Sequence, residues 1–160
     1  MEKTPHKEKP FPWRCPKCGS REVSPSAQPY KFSANYDGRI YQFEVDSLDI
    51  PTCRSCGERV FSKTVNDEID KAIRRQLRLL TPEQIRHAVA QLRLSQKDIA
   101  AKLGVAEATF SRWVTGTVIQ SRAMDNLLRV YFAVPAVRDL LLGDAQDEQL
   151  GVPVVSQPSP

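Results

Sequence analysis

The sequence predicts an α+β chain of two domains, a small β-rich one followed by an all-α bundle. Three observations predict it. Two Cys-x2-Cys-Gly pairs frame the first third of the chain. An Asp-Gly dipeptide lies between two runs of alternating polar and apolar residues. From residue 81 onward come short amphipathic segments, each with its own start and stop signals. The implied boundaries are 11–62 for the first domain, 63–80 for a connecting helix and 81–142 for the bundle. Residues 1–10 and 143–160 are expected to be disordered, the latter being acidic and then rich in Pro and Ser.

The 160 residues carry 23 Lys+Arg against 19 Asp+Glu, a net charge of +4. By segment the net charge is +2 over residues 1–62, +4 over 63–120 and −2 over 121–160, so the basic excess peaks in the middle. That is compatible with a nucleic-acid partner without requiring one. No apolar run approaches the ~18 residues of a membrane helix, and the charged MEKTPHKEKP start lacks the apolar stretch of a secretory signal. A cytoplasmic protein with no membrane partner is expected.

Cys15-Pro16-Lys17-Cys18-Gly19 and Cys53-Arg54-Ser55-Cys56-Gly57 are two knuckles separated by 34 residues. Each is a tight turn that points two sulfurs inward, and the glycine after the second cysteine permits a positive φ. Four thiolates suit one tetrahedral zinc ion. They also close its coordination shell, so the ion is expected to be structural rather than catalytic. Disulfides are disfavoured without an export signal, and a redox Cys-x-x-Cys expects a βαβ context that is absent here. His6 and His87 are left over and read as surface residues.

Between the knuckles, Tyr30–Tyr36 and Arg39–Val45 alternate on either side of Asp37-Gly38, a two-residue hairpin turn. Folding about that turn opposes Ala34 to Tyr41, Phe32 to Phe43 and Tyr30 to Val45. One face becomes aromatic and apolar. The other carries Lys31, Ser33, Asn35, Gln42 and Glu44, with Ile40 as the exception. Aromatic strands can stack bases. A ribbon this small, however, needs its aromatics for a core, and the plainer reading is a folded platform whose exposed edge suits a protein partner.

Val65 to Leu80 reads as one helix, with Ile69, Ala72, Ile73 and Leu77 at helical spacing. Thr64 or Asn66 would cap it, placing Asp67, Glu68 and Asp70 in the first turn. Arg74, Arg75 and Arg78 read as a solvated charge run.

Five short helices follow. Thr81-Pro82-Glu83-Gln84 combines a capping box with proline at the first helical position. Ser95 starts the second and Gly104 ends it. The third begins near Ala106 and ends at Gly116, the fourth begins at Ser121 and the fifth at Pro135. Phe110 and Trp113 read as core. The segment from Leu94 to Trp113 is a short helix, a glycine turn and a second short helix. That arrangement turns the second helix outward, where its first side chains can enter a DNA major groove.

This segment resembles the helix-turn-helix of the lambda-repressor-like (XRE) family. Leu94-Ser95-Gln96, Ala100, Gly104-Val105 and Phe110-Ser111-Arg112-Trp113 carry the resemblance. It implies base readout by Glu107, Ala108, Thr109 and Arg112. Arg112 can bond guanine in bidentate fashion, Thr109 can touch a thymine methyl, Glu107 can accept from cytosine, and Ala108 offers only apolar contact. Gln96, Lys97, Lys102, Thr115, Thr117 and Arg122 are the candidates for phosphate-backbone contact, which adds affinity but not sequence information.

The order of the parts resembles the MqsA family of antitoxins, with a YgiT-type zinc finger ahead of an XRE helix-turn-helix. The resemblance rests on both cysteine pairs, the Phe110-Ser111-Arg112 segment and Leu127-Leu128-Arg129-Val130. It implies a structural zinc, an N-terminal domain that neutralises a ribonuclease toxin, and a C-terminal domain that dimerises on a palindromic operator in double-stranded DNA. One departure stands at Ala108, where the family carries Asn. Alanine cannot make the bidentate adenine contact of asparagine, so the operator differs or readout leans on the neighbouring side chains. The alternative is a stand-alone regulator whose ribbon docks another protein. An enzyme is not expected: the sequence offers no open metal site, no Ser/His/Asp constellation and no phosphate-binding glycine loop, and so no small-molecule substrate.

Overall fold

The computed structural model describes residues 9–141, and the disorder expected at the two ends falls mostly outside them. The chain divides after Leu77 into two compact units.

The first unit contains β1 (Val23–Ser24), β2 (Ala27–Tyr36), β3 (Arg39–Asp49), β4 (Thr52–Cys53) and α1 (Lys63–Gln76). β2 and β3 form one antiparallel pair, β1 and β4 another. Asp37 at φ 50° and Gly38 at φ 75° make the hairpin turn, both residues being in the left-handed region that a tight two-residue loop needs. The register opposes Tyr30 to Val45, Phe32 to Phe43 and Ala34 to Tyr41, as the alternation predicts. Phe32 and Phe43 stack across the register with centroids 5.1 Å apart, and Tyr30 stacks on Phe32 along β2 at 5.5 Å. On the outer face Lys31 pairs with Glu44 directly opposite, at 3.0 Å. Ile40, the exception in the pattern, is 74% exposed.

Helix α1 is more than a connector. It packs on β3, where Val65 and Ile69 join Leu48, Ile50, Tyr30 and Val45, and Gln76 Nε2 donates to the Gln42 carbonyl at 2.8 Å. Both of its ends differ from the sequence expectation. Ser62 is the N-cap, its hydroxyl accepting from Val65 N–H, so Asp67, Glu68 and Asp70 lie beyond the first turn. The helix stops at Gln76, and Arg78 turns left-handed at φ 52°. Leu80 cannot continue it, because its N–H donates to Asp125 Oδ1 at 2.7 Å and its carbonyl accepts from Gln120 Nε2 at 2.8 Å. Those partners are 40 and 45 residues away, beyond the reach of local periodicity. Arg74 is also not on a solvated face: it is buried, 3.9 Å from Asp70. Burial raises the Asp70 carboxyl above the ordinary carboxylate range, against the pull of Arg74.

The second unit contains α2 (Pro82–Leu92), α3 (Gln96–Lys102), α4 (Glu107–Thr115), α5 (Arg122–Ala133) and α6 (Pro135–Leu140). The start signals act as the sequence implies. Thr81 and Gln84 form a reciprocal capping box, and Ser95 and Ser121 cap α3 and α5. Gly104 at φ 68° follows the last residue of α3's cap, and Gly116 at φ 78° closes α4. A Cβ at Gly116 would meet the Pro82 ring at 2.9 Å, so glycine is required there both for its φ and for the approach of α2. Ile85, Ile99, Phe110, Leu128 and Tyr131 are fully buried in one continuous core. Beside it Asp125, also fully buried, accepts from Leu80, Gln120 and Arg129, and Arg129 donates in turn to the Arg78 carbonyl. A buried carboxylate is tolerable only with such a set of donors.

Candidate metal centre and nucleic-acid interface

The two cysteine knuckles are built alike. In the first, Gly19 N–H donates to the Cys15 carbonyl at 3.0 Å and Cys15 N–H to the Ser20 carbonyl at 2.7 Å. In the second, Gly57 donates to Cys53 at 2.9 Å and Cys53 to Glu58 at 2.8 Å. Gly19 and Gly57 take nearly the same φ, 76° and 73°. Pairing of Val23 with Cys53, and of Trp13 with Val23, sets the knuckles side by side.

The four sulfurs then converge. Cys15 Sγ lies 3.6 Å from Cys56 Sγ, and Cys18 Sγ lies 3.7 Å from Cys53 Sγ. All four lie within 4.8 Å of one another. A tetrahedron with metal–sulfur bonds of about 2.3 Å has edges of roughly 3.8 Å, so the donor set fits a thiolate-bound metal. The separations are far beyond a disulfide bond, and all four cysteines are free thiols. Cys15 and Cys53 are buried, Cys18 and Cys56 exposed. The Ser20 hydroxyl, in contact with both, holds the Cys53 thiol down at about 6 and lowers that of Cys18. Cys56 is lowered by a backbone hydrogen bond at Glu58 but is pushed up overall, to about 12, by desolvation and the neighbouring thiols. A cation must displace the protons that such a cluster retains.

In the second unit, α3 and α4 are joined by the turn at Gly104. Phe110, Trp113 and Val114 point α4 into the core, with Phe110 and Trp113 edge to face at 6.2 Å. Ala108 and Arg112 face away from that core and are exposed, while Glu107 is exposed at the first position of α4 and Thr109 is half-buried. Glu107, Ala108 and Thr109 form the first turn of α4, and Arg112 lies in its last turn. The six backbone candidates are more scattered. Lys97 is exposed and Gln96 half-buried at the start of α3. Thr115 and Thr117 are exposed at the far end of α4, their hydroxyls 2.9 Å apart. Lys102 Nζ donates to the Arg138 carbonyl at 3.4 Å, and Arg122 lies 3.7 Å from the buried Asp125. Those two cations therefore already serve the fold.

One positioning contact has no sequence signal. Arg86 of α2 donates to the Val114 carbonyl at 2.7 Å while pairing with Glu83 at 2.7 Å, and so caps the end of α4. A basic residue one turn into a helix is ordinary, and only the tertiary fold reveals the carbonyl it meets.

Among the described residues no helix is long and apolar enough to cross a membrane. No curated protein matches the sequence. A family model described as the antitoxin component of the bacterial toxin-antitoxin system, MqsA, matches residues 13–141. That span takes in both knuckles, the hairpin, α1 and nearly all of the helical unit, so the chain belongs to the MqsA antitoxin family.

Proposed function

We propose that the chain is a DNA-binding type II antitoxin with zinc as its metal. One structural zinc ion per chain is held by Cys15, Cys18, Cys53 and Cys56. The family match across both units carries this reading, and the fit of the four sulfurs to a tetrahedral thiolate site supports the choice of metal. The protein acts in the cytoplasm by binding rather than catalysis. The first unit neutralises a cognate toxin, a ribonuclease. The second represses the operon by placing α4 in the major groove. A homodimer sets two copies of α4 about 34 Å apart, or a multiple of that, on a palindromic operator. Glu107, Ala108, Thr109 and Arg112 read bases. Lys97, Thr115 and Thr117 contact phosphates, with Gln96, Lys102 and Arg122 supporting them.

The experiment for neutralisation is capture and rescue. The full-length protein is expected to bind the product of the adjoining gene and to relieve its growth inhibition. An adjoining product that neither binds nor inhibits growth rejects the antitoxin role and leaves a regulator whose first unit serves another protein. For DNA, Arg112→Ala is expected to weaken operator binding by about 1–3 kcal/mol and to relax specificity at one base pair. Titration of labelled operator checks this, with helical content as the control for folding. Unchanged affinity would remove Arg112 from the readers.

A further inference from the structure

Three side chains beside the cysteine cluster are not accounted for by the four ligands. Ser20 Oγ lies 3.1 Å from Cys18 Sγ and 3.3 Å from Cys53 Sγ, so one hydroxyl touches a sulfur from each knuckle. Ser55 Oγ, at the tip of the second knuckle, lies 3.2 Å from Ser20 Oγ and donates to Glu22 Oε2 at 2.5 Å. The Glu22 carbonyl also accepts from Arg54 N–H at 3.0 Å. The chain Glu22–Ser55–Ser20 thus crosses between the knuckles and ends on two of the four sulfurs.

The protons can be assigned. Each hydroxyl carries one, and a carboxylate only accepts. The short, charge-assisted contact to Glu22 takes the larger share of the Ser55 proton and fixes the Ser55 oxygen. The smaller share reaches the Ser20 oxygen at 3.2 Å, so Ser20 accepts there and its own proton is directed at sulfur. A thiolate is an acceptor only, so once a cation holds the cysteines deprotonated, Cys18 and Cys53 share the Ser20 donor. Groups that hydrogen-bond to metal ligands orient them and offset their charge.

We propose that Ser20, held by Ser55 and Glu22, is a positioning residue that governs how firmly the cluster keeps its metal. The inference rests on the zinc reading above. Ser20 contributes to the knuckle in two separable ways. Its carbonyl accepts from Cys15 N–H, which alanine preserves, and its hydroxyl meets the sulfurs, which alanine removes.

The test compares the full-length native protein with Ser20→Ala, Ser20→Thr, Ser55→Ala and Cys53→Ser. Zinc affinity is measured by competition with a chromophoric chelator, and the cobalt(II)–thiolate charge-transfer band reports the sulfurs directly. Ser20→Ala is expected to bind one equivalent about ten- to a hundredfold more weakly, with a shifted cobalt band. Ser20→Thr, which keeps the hydroxyl, is expected to stay near the native values, and Ser55→Ala to fall between. If Ser20→Ala binds within twofold of native and leaves the cobalt band in place while Cys53→Ser loses the metal, the proposal is overturned and the zinc site stands. If the native protein itself takes up less than one equivalent of either ion, the zinc reading fails and the role of Ser20 falls with it.

Discussion

The two units bury their apolar residues in different ways. In the first, buried apolar side chains are dispersed. Val23 sits with Cys15 and Cys53 in one small cluster, and Leu48, Ile50 and Val65 form another where α1 packs on β3. In the second, Ile85, Ile99, Phe110, Leu128 and Tyr131 belong to a single core to which four of the helices contribute. A cluster made of one valine and two cysteines is too small to hold two knuckles together by burial alone. Each fold thus gets its cohesion from a different source: a four-thiolate metal cluster around the knuckles, continuous packing in the helical unit.

Removing the metal is the largest perturbation this comparison predicts. Apparent binding energies of structural zinc in small domains run to about 10–16 kcal/mol, comparable to the whole stability of a domain. Chelation, or Cys53→Ser, is expected to abolish amide protection at residues 13–24 and 52–60 while the helical unit keeps its own thermal transition. Hydrogen exchange read by peptide, alongside a melt followed by helical signal, separates the two. Parallel loss of protection in α2 to α5 would show one cooperative fold instead of two.

The reciprocal perturbation is Phe110→Ala. The ring is fully buried and packs edge-on to Trp113. Its removal is expected to cost the helical unit about 3–5 kcal/mol, seen in the denaturation midpoint, and to leave zinc affinity unchanged. A fall in metal affinity of tenfold or more would mean that the knuckles depend on the helical core after all.

The same contrast explains what could be read from the sequence. Signals that act within a few residues were legible: Asp37-Gly38 and the register of the hairpin, the Thr81–Gln84 capping box, the stops at Gly104 and Gly116, and the cysteine spacing. Features made by distant partners were not. The sequence pattern runs α1 to Leu80, yet Asp125 and Gln120 claim the backbone of that residue from the other end of the helical unit. Arg74 looks solvated beside Arg75 but is buried. Ser20 and Ser55 are unremarkable knuckle residues until folding places them 3.2 Å apart. Arg86 likewise acquires its role only from the carbonyl at the end of α4.

The smallest predicted effect probes a flaw within the well-packed unit. Tyr131 is fully buried, and its hydroxyl has no hydrogen-bond partner among the described residues. A buried polar group left unmatched costs about 1–3 kcal/mol, and replacing it with an apolar group of the same shape can recover part of that. Tyr131→Phe is therefore expected to stabilise the helical unit by about 1 kcal/mol, a rise in Tm of roughly 4–8 °C for a domain this size. The pH dependence gives a second readout. Burial raises the Tyr131 phenol above its ordinary value, outweighing the pull of Lys102 and Arg138. The folded state then holds this proton more tightly than the unfolded chain. The associated stability is fully present below about pH 10 and is lost as pH rises through the folded value. Tyr131→Phe should remove that part of the alkaline loss, so its advantage over the native protein widens between pH 7 and pH 11. An advantage that stays constant across that range would mean the phenol reaches solvent or a partner, and a loss of stability at pH 7 would show that the hydroxyl is satisfied.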